Sequence, residues 1–265
     1  MSKKRADILL FEKGLVESRE KGKRLIMEGL VYIGTKKIDK PGDSIDENEN
    51  ITIKSNPLIY VSRGGLKLEK AINYFNLNLC DIIAMDIGAS TGGFTDCMLR
   101  NGAAKVYALD VGYNQLDWRL RNDPRVVVME RTNIRNITKE DIEDNIDFIS
   151  IDVSFISLKL VLPVAKELLN TDGEIVALIK PQFEAGREKV GKKGIVRDKN
   201  THMEVITNIV NFSEEIGLFP CSLTFSPVTG ATGNIEFLIH LKRNTEIFER
   251  KLIQKTIDEA HFTLK

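Results

Sequence analysis

Between residues 81 and 241 the chain alternates short apolar runs with longer amphipathic segments. The apolar runs predict seven strands, at residues 82–87, 106–110, 126–130, 148–152, 174–180, 222–226 and 235–241. The amphipathic segments predict helices near residues 94–101, 158–170 and 201–217. Strands that alternate with helices indicate a Rossmann-like α/β fold with a doubly wound sheet. The last two predicted strands are joined by a short loop, so we expect them to form an antiparallel hairpin at one edge.

The first fifty residues show a different pattern of short helices and short strands. Residues 5–10 predict a helix that ends near Gly14. Ser18 is suited to cap a second helix, which Gly29 is placed to end. Apolar residues at 31–33 and 51–53, separated by turns with glycine and proline, predict strands. This part of the chain is therefore predicted to be a small α+β domain.

Charge is unevenly distributed, although 38 basic and 38 acidic residues cancel over the whole chain. Residues 1–37 contain ten Lys and Arg against five Asp and Glu. A basic segment on a mildly acidic remainder indicates a module that contacts an anionic partner. A solvated basic helix without a partner would show the same charge, so charge alone leaves both interpretations open.

Other properties of the chain argue against several classes of protein. The longest apolar runs are far shorter than a membrane span, and the N-terminus has no signal-peptide cleavage site, so we expect a cytoplasmic protein without a membrane segment. Cys80, Cys97 and Cys221 lack the close spacing of a disulfide framework and are interpreted as reduced. The three histidines have no metal-ligand spacing, so no metal site is predicted.

A glycine-rich loop follows the first strand predicted in the α/β region. Glycines in such a loop allow tight turns and a close approach of the backbone to a ligand. The dinucleotide fingerprint requires a glycine where this chain has Ser90. An acidic residue before the loop is instead typical of S-adenosylmethionine sites. The loop therefore predicts the following cofactor-binding residues: Asp86, Gly88, Ala89, Ser90, Gly92, Gly93 and Phe94.

Two further acids end predicted strands at the same edge of the sheet and are added to the cofactor site. Asp110 lies 24 residues after Asp86, where a carboxylate can accept both ribose hydroxyls of an adenosine. Asp152 ends the fourth strand. Helix capping would explain one of these three aspartates but not all of them. Tyr113 and Trp118 are candidates to flank an adenine, although packing explains them equally well.

Lysines and acids at the ends of elements form a second pattern. Lys67 follows Arg63-Gly-Gly-Leu, Lys180 precedes Pro-Gln-Phe-Glu184, and Glu236 precedes Phe237. Each alone is typical of a surface residue. Together with Asp152 they resemble the Lys-Asp-Lys-Glu tetrad of the ribose 2′-O-methyltransferases of the FtsJ type. That resemblance implies four catalytic residues, Lys67, Asp152, Lys180 and Glu236, and a class I methyltransferase sheet with an antiparallel last strand.

The N-terminal segment resembles a small RNA-binding domain first known from a small-subunit ribosomal protein. The matching segments are Arg5-Ala-Asp, residues 14–19, Leu25-Ile, residues 29–33 and residues 40–42. The resemblance implies that basic residues contact structured RNA, for which we select Arg5, Arg19, Lys23 and Arg24. Because A-form RNA hides its base edges, such a module reads shape and phosphates.

Both resemblances together indicate the TlyA family. They imply S-adenosylmethionine as cofactor, ribosomal RNA or ribosomal subunits as partner, and methylation of a cytidine 2′-hydroxyl. The domains implied are an RNA-binding domain at 1–55, a linker at 56–61 and a methyltransferase domain at 62–243. The tail at 244–265 receives no role.

The chemistry of methyl transfer to a ribose hydroxyl suggests a separate role for each of the four residues. We expect Lys180 to act as the base, with Asp152 and Glu236 orienting it and Lys67 stabilising the developing alkoxide. A lysine is a base only if desolvation or a nearby cation lowers its pKa. The two carboxylates favour the charged lysine, and the sequence leaves this balance open.

Residues 186–197 follow Lys180 and contain five basic residues and three glycines. One interpretation is a solvated charged loop. The other is an RNA clamp that orders on the substrate, with Lys192 and Lys193 as its contacts.

Three functions remain open from the sequence. The resemblance favours a ribosomal-RNA methyltransferase. A ribosome-assembly factor that binds RNA without catalysis is the first alternative. A hemolysin, the older name of the family, is the second alternative and requires a membrane element that the apolar runs do not provide.

Overall fold

The computed structural model describes residues 3–16, 18–27, 29–53, 60–244 and 247–264. The chain divides into two compact units, Met1–Leu58 and Ile59–Lys265. Residues 56–59 of the predicted linker at 56–61 lie outside the described residues, which stop at 53 and resume at 60.

The described residues of the N-terminal unit form two helices and five short strands. In chain order they are β1 (Lys3–Arg5), α1 (Ala6–Glu12), α2 (Arg19–Met27), β2 (Val31–Ile33), β3 (Lys36–Lys37), β4 (Ser44–Asp46) and β5 (Ile51–Ile53). β1 pairs with β4, and β2 lies between β3 and β5, all antiparallel. The Ser18 hydroxyl accepts the Lys21 amide at 3.2 Å, which confirms the predicted cap of α2. Gly29 follows α2 with a φ of +73°.

The larger unit alternates helices and strands as predicted. Its first half contains α3 (Gly64–Phe75), β6 (Ile83–Ile87), α4 (Gly93–Arg100), β7 (Lys105–Leu109), α5 (Trp118–Arg121), β8 (Val126–Met129) and β9 (Ile146–Ile151). Its second half contains α6 (Leu162–Leu168), β10 (Leu169–Ile179), α7 (Pro181–Glu184), α8 (Lys199–Glu215), β11 (Phe219–Phe225), β12 (Phe237–Lys242) and α9 (Lys251–Thr263).

Among the described residues of this unit, seven strands form one mixed sheet in the order β11-β12-β10-β9-β6-β7-β8. The pairs from β8 through β10 are parallel, whereas β12 runs antiparallel to both of its neighbours. The predicted α/β sheet with an antiparallel last strand is thereby confirmed. β12 lies inside the sheet and β11 at its edge. Residues 237–241 are all buried, as expected for an internal strand that is covered on both faces.

Apolar side chains fill both faces of the sheet. α3 and α4 cover one face, with Leu68, Met98 and Phe94 in that core. α6, α8 and α9 cover the other face. The tail, which the sequence left without a role, therefore contains a helix that completes one layer. Ile253 and Ile257 of α9 are buried there beside β11 and α8.

The predicted helix at 158–170 is interrupted. A 3₁₀ turn at Leu158–Leu160 precedes α6, and β10 begins at Leu169 without an intervening loop. Pro163 in the first turn of α6 explains the late start, because proline lacks the amide that a continuing helix would need.

Parallel strands end at the same edge of the sheet. The carboxyl ends of β6, β7, β9 and β10 therefore place the glycine loop, Asp110, Asp152 and Lys180 together, at the edge where open α/β sheets bind ligands.

Candidate active site

Four charged side chains from distant parts of the sequence meet at this edge. Lys67 lies in the first turn of α3, Asp152 follows β9, Lys180 follows β10, and Glu236 precedes β12. The Lys67 ammonium is 2.7 Å from Glu236 Oε2 and 3.5 Å from Asp152 Oδ2. The Lys180 ammonium is 2.5 Å from Asp152 Oδ1. Asp152 therefore stands between the two lysines, and the structure brings the predicted tetrad together.

The cluster is largely shielded from water. Its four side chains are between 3% and 18% exposed. Two ammonium groups and two carboxylates balance in charge, which is the condition under which ionised groups are tolerated away from water. Loss of any one member would leave an uncompensated charge.

The electrostatic environment fixes the ionisation of two members. Burial would raise the pKa of Asp152, but the ammonium groups of Lys67 and Lys180 outweigh burial and hold it below its ordinary value. Burial would lower the pKa of Lys67, but Asp152 and Glu236 outweigh burial and raise it. Asp152 is therefore a carboxylate and Lys67 an ammonium at neutral pH.

Lys180 has a different set of partners from Lys67. Its ammonium donates a hydrogen bond to Ser154 Oγ at 3.0 Å. It also forms the ion pair with Asp152 Oδ1, which helps to hold the pKa of Asp152 low. Lys67 is thus held by two carboxylates, and Lys180 by one carboxylate and one hydroxyl.

The glycine loop is built against the tetrad. Gly88 has a φ of +87°, and a Cβ there would lie 2.6 Å from the backbone oxygen of Asp152. At Gly93 a Cβ would lie 2.2 Å from Ser62 Oγ, at the turn before α3. The loop therefore packs between the residues that carry Asp152 and Lys67, at distances that only glycine permits.

Asp110 is joined directly to this loop. Its Oδ2 accepts the Ser90 amide at 2.8 Å, and its Oδ1 accepts the Gly112 amide at 2.7 Å. The half-buried carboxylate keeps further lone pairs for hydroxyl donors. A glycine loop and an anchored carboxylate on neighbouring strand ends are the chemical groups that bind the ribose of an adenosine cofactor. The residues present thus fit such a group.

Three predicted cofactor residues lie behind the loop. The side chains of Ala89 and Phe94 are packed in the core, and Asp86 is fully buried. Asp86 accepts hydrogen bonds from the Thr95 amide and hydroxyl at 2.9 and 2.7 Å and from Ser150 at 3.2 Å. Burial, assisted by Asp152, raises the pKa of Asp86 to about 7 against these bonds. These side chains shape the loop from within.

In the N-terminal unit, a buried carboxylate unites two of the predicted RNA-binding residues. Arg5 Nε donates to Asp7 Oδ1 at 3.0 Å, and Arg19 donates to Asp7 Oδ2 at 3.4 Å. Burial would raise the pKa of Asp7, but the two guanidinium groups outweigh it and lower the pKa. Lys23 lies one turn after Arg19, and Arg24 is exposed. Sequence reasoning missed Asp7; its position in the apolar α1 was the available signal.

The basic segment at 186–197 is anchored at one end. Lys192 and Lys193 are exposed in a turn that the Gly191 amide closes by donating to the Ile195 carbonyl at 3.1 Å. Asn234, fully buried, accepts the Val196 amide at 2.9 Å and donates to the Gly194 carbonyl at 2.8 Å. This residue, which sequence reasoning also missed, ties the segment to the strand that Glu236 precedes.

Exposed aromatic rings stand near the strand ends. Phe155, three residues after Asp152, is 91% exposed at a φ of +64°. A backbone in the left-handed region is uncommon for a bulky residue, and such strain clusters at functional sites. Tyr113 and Trp118 are also exposed, and the Arg131 guanidinium lies 4.0 Å from the Tyr113 ring centroid.

The described part of the chain contains neither a membrane-spanning helix nor a cluster of metal-binding side chains. None of its helices is long and apolar enough to cross a membrane. Its His, Cys, Asp and Glu side chains form no group of three or more suited to a metal ion.

Comparison with known proteins places this site in a family. A model of FtsJ-like methyltransferases matches residues 60–243, and a model of the S4 domain matches residues 4–51. A Bacillus subtilis protein provisionally named rRNA methyltransferase YqxC is 55% identical, over 99% of this chain and 96% of its own length.

A second relative and a solved structure agree with this placement. The 16S/23S rRNA (cytidine-2′-O)-methyltransferase TlyA of Mycobacterium tuberculosis is 39% identical over 97% of this chain and 95% of its own. A Streptococcus thermophilus structure provisionally named a hemolysin is 48% identical, with a TM-score of 0.80 over 99% of this chain and 97% of that chain. The chain therefore belongs to the TlyA family of FtsJ-like methyltransferases, with S-adenosylmethionine as cofactor, and hemolysin is an older name for that family.

Proposed function

We propose that this protein transfers a methyl group from S-adenosylmethionine to the ribose 2′-hydroxyl of a cytidine in ribosomal RNA. The observation that carries the proposal is the Lys67–Asp152–Lys180–Glu236 cluster packed against the glycine loop. The Mycobacterium tuberculosis relative, whose name states this reaction, supports the substrate. Action on ribosomal RNA implies a cytoplasmic location.

The reaction requires removal of one proton. A ribose hydroxyl is a poor nucleophile and must lose its proton as its oxygen attacks the methyl carbon. The cofactor, when bound, supplies an electrophilic methyl group on a sulfonium that leaves as a neutral thioether. We assign proton removal to Lys180, which must be neutral to accept the proton. The Lys180 ammonium is paired with one carboxylate, whereas Lys67 is paired with two. Deprotonation of Lys180 therefore breaks fewer ion pairs.

Lys67 is suited to a different role. Asp152 and Glu236 raise its pKa, so it stays an ammonium throughout the reaction. A fixed positive charge beside the acceptor oxygen stabilises the alkoxide that develops. Asp152 and Glu236 hold the two lysines in place.

The cofactor and the RNA would be held by separate groups. The loop backbone at Gly88, Ser90, Gly92 and Gly93, with Asp110, would hold the adenosine part of the cofactor. In the N-terminal unit, Arg5, Arg19, Lys23 and Arg24 would contact RNA phosphates. Lys192 and Lys193 would do so beside the active site.

The test is transfer of labelled methyl to ribosomal subunits and to naked ribosomal RNA. We expect label in RNA as an alkali-resistant dinucleotide, which only 2′-O-methylation produces. Lys180→Ala should lower kcat by roughly 10²–10⁴, whereas Lys255→Ala, on an exposed face, should not. Cofactor binding without label on any RNA would contradict the proposal and favour an RNA-binding assembly factor. Near-native kcat in Lys180→Ala would contradict the role of the base.

A further inference from the structure

A tight turn covers the carboxyl group of Glu236. The Gly230 amide donates to the Asn234 carbonyl at 2.9 Å, and the Gly233 amide donates to the Gly230 carbonyl at 2.8 Å. These two bonds close residues 230–234 into a compact turn shortly before β12. Glu236 is only 2% exposed, so protein groups rather than water surround its side chain. What packs against the carboxyl group therefore decides where it lies.

Each oxygen of this carboxyl group has a different neighbour. Oε2 accepts a hydrogen bond from Lys67 Nζ at 2.7 Å. Oε1 lies against Gly230, where a Cβ would be 2.5 Å from this oxygen and 3.2 Å from the carboxyl carbon. Ordinary contacts of a Cβ begin at 3.4 Å, and the φ of Gly230 is outside the left-handed region. The position thus requires glycine for lack of space and not for backbone freedom.

Buried hydrogen bonds hold the turn in place. The Asn234 side chain donates to the Gly194 carbonyl at 2.8 Å and accepts the Val196 amide at 2.9 Å. The Glu236 carbonyl accepts the Ser226 amide at 2.8 Å. A side chain at position 230 would therefore meet an anchored backbone. Rotation of the Glu236 side chain costs less than the loss of these bonds, so its carboxyl group would move instead.

Movement of this carboxyl group would displace Lys67. A Cβ at position 230 requires the carboxyl oxygen to move by about 1 Å, and a misplacement of that size can cost roughly 10²-fold in rate. The other contact of the Lys67 ammonium, with Asp152, is longer at 3.5 Å and would not hold it in the same place. A methyl group at position 230 is thereby expected to reach the charge that stabilises the alkoxide.

We propose that Gly230 is a positioning residue of the active site. Its lack of a side chain lets the Glu236 carboxyl group lie where it holds Lys67 beside the acceptor hydroxyl. Gly230 acts through Glu236 and Lys67, and the proposal requires no contact between Gly230 and RNA or cofactor. It rests on the proposed function, because Lys67 has this role only in methyl transfer.

The first variant is Gly230→Ala, which adds one methyl group. We expect kcat, expressed per site that binds S-adenosylmethionine in calorimetry, to fall roughly tenfold to a hundredfold. KM for ribosomal RNA and affinity for the cofactor should be unchanged, because only Lys67 is displaced. Ala231→Ser, exposed at the next position of the turn, is the matched control and should keep the wild-type kcat. A kcat within twofold of the wild type, a change in KM alone, or equal losses in both variants would overturn the proposal.

A second comparison removes the group with which the new methyl would clash. Lys67→Met with Glu236→Ala removes both partners of one ion pair and leaves Asp152 paired with Lys180, so this background should fold. We expect Gly230→Ala to lower the urea midpoint of the wild type but to leave that of the double variant unchanged. Equal decreases in both backgrounds would mean that the glycine serves the turn alone, and would overturn the proposal.

The urea comparison separates this proposal from the proposed function, because unfolding requires no methyl transfer. If the wild type transfers no methyl to any RNA, the proposed function fails, and the urea comparison alone decides whether Gly230 positions Glu236. If Gly230→Ala does not fold by itself, the background with Lys67→Met and Glu236→Ala decides. An unchanged midpoint in that background supports the contact, and a lower midpoint overturns it.

Discussion

At the scale of single residues, the active site depends on one carboxylate shared by two lysines. Asp152 lies between the ammonium groups of Lys67 and Lys180, and both hold its pKa low. The backbone oxygen of Asp152 also packs closely against Gly88, where a Cβ would clash with it. Asp152 therefore connects the two lysines to the glycine loop.

Asp152→Asn should reduce both stability and activity. Removal of one partner of a buried ion pair costs roughly 3–5 kcal/mol, because the remaining charge is uncompensated. We expect a decrease of about that size in the free energy of unfolding in urea, with methyl transfer lost. Asp258→Asn, in the exposed pair with Lys199, should leave the free energy of unfolding almost unchanged. Equal losses in both variants would contradict this account of Asp152.

Asp86 should make stability depend on pH in the opposite sense to most carboxyls. Its pKa is raised to about 7 in the folded protein, above its ordinary value of 3.8, so the folded state binds more protons between these values. The stability that the raised pKa of Asp86 provides is fully present below about pH 4 and is lost as pH rises through 7. Asp86→Asn should therefore gain stability relative to the wild type from pH 5 to pH 8. Urea unfolding at several pH values tests this, and parallel curves would contradict it.

At the scale of elements, pairs of segments are joined by single buried polar side chains. Asp7 of α1 holds Arg5, just before α1, and Arg19, at the start of α2. Asn234 holds the end of the basic segment next to β12. In each case a basic surface is positioned by a residue that cannot contact the RNA itself.

Asp7→Asn should weaken RNA binding without affecting the cofactor. Without the carboxylate, Arg5 and Arg19 lose the group that orients both guanidinium groups. We expect a decrease in RNA affinity of about tenfold, equivalent to roughly 1.4 kcal/mol, in filter binding at fixed salt. Glu12→Gln, in the exposed pair with Lys4, serves as the control. An unchanged affinity in Asp7→Asn would show that the two arginines need no fixed orientation.

α9 should contribute substantially to the stability of the larger unit. Ile257 is fully buried against the core, whereas Phe262 on the same helix is 87% exposed. Ile257→Ala should lower the free energy of unfolding by about 2–5 kcal/mol, and Phe262→Ala by no more than about 0.5 kcal/mol. Similar values for both variants would mean that α9 does not pack as described.

At the scale of the whole molecule, the chain places its basic N-terminal residues and its buried charged cluster in different units. The first 37 residues, within the N-terminal unit, contain ten basic and five acidic residues in a chain whose total charge is zero. Within the larger unit, the glycine loop, Asp110 and the four-residue charged cluster lie at one edge of the sheet.

Reversal of the charges at Lys192 and Lys193 should affect RNA alone. Lys192→Glu with Lys193→Glu should weaken RNA binding most at low salt, because fewer counterions are released. Calorimetry should show the same cofactor affinity as in the wild type. Lys251→Glu, equally exposed on α9, is the control. A change in cofactor affinity would place these lysines nearer the loop than the proposal requires.

The sequence by itself determined the order of the elements and the residues at the strand ends. Apolar periodicity marks strands and helices locally, and parallel strands bring their carboxyl ends to one edge whatever the loops do. This rule is sufficient to place Asp110, Asp152 and Lys180 together. Lys67 and Glu236 came from resemblance, because neither lies at the carboxyl end of a parallel strand.

Only the tertiary structure decided which polar side chains are buried and what each one contacts. Asp7 and Asn234 are unremarkable in the sequence, and Asp86 is aligned with a cofactor motif although it points into the core. The same holds for α9. Its amphipathic pattern does not identify the elements it packs against, which the structure shows to be β11 and α8. The reason is physical: periodicity records which face of an element is apolar, whereas burial of a polar atom depends on neighbours that are distant in the chain.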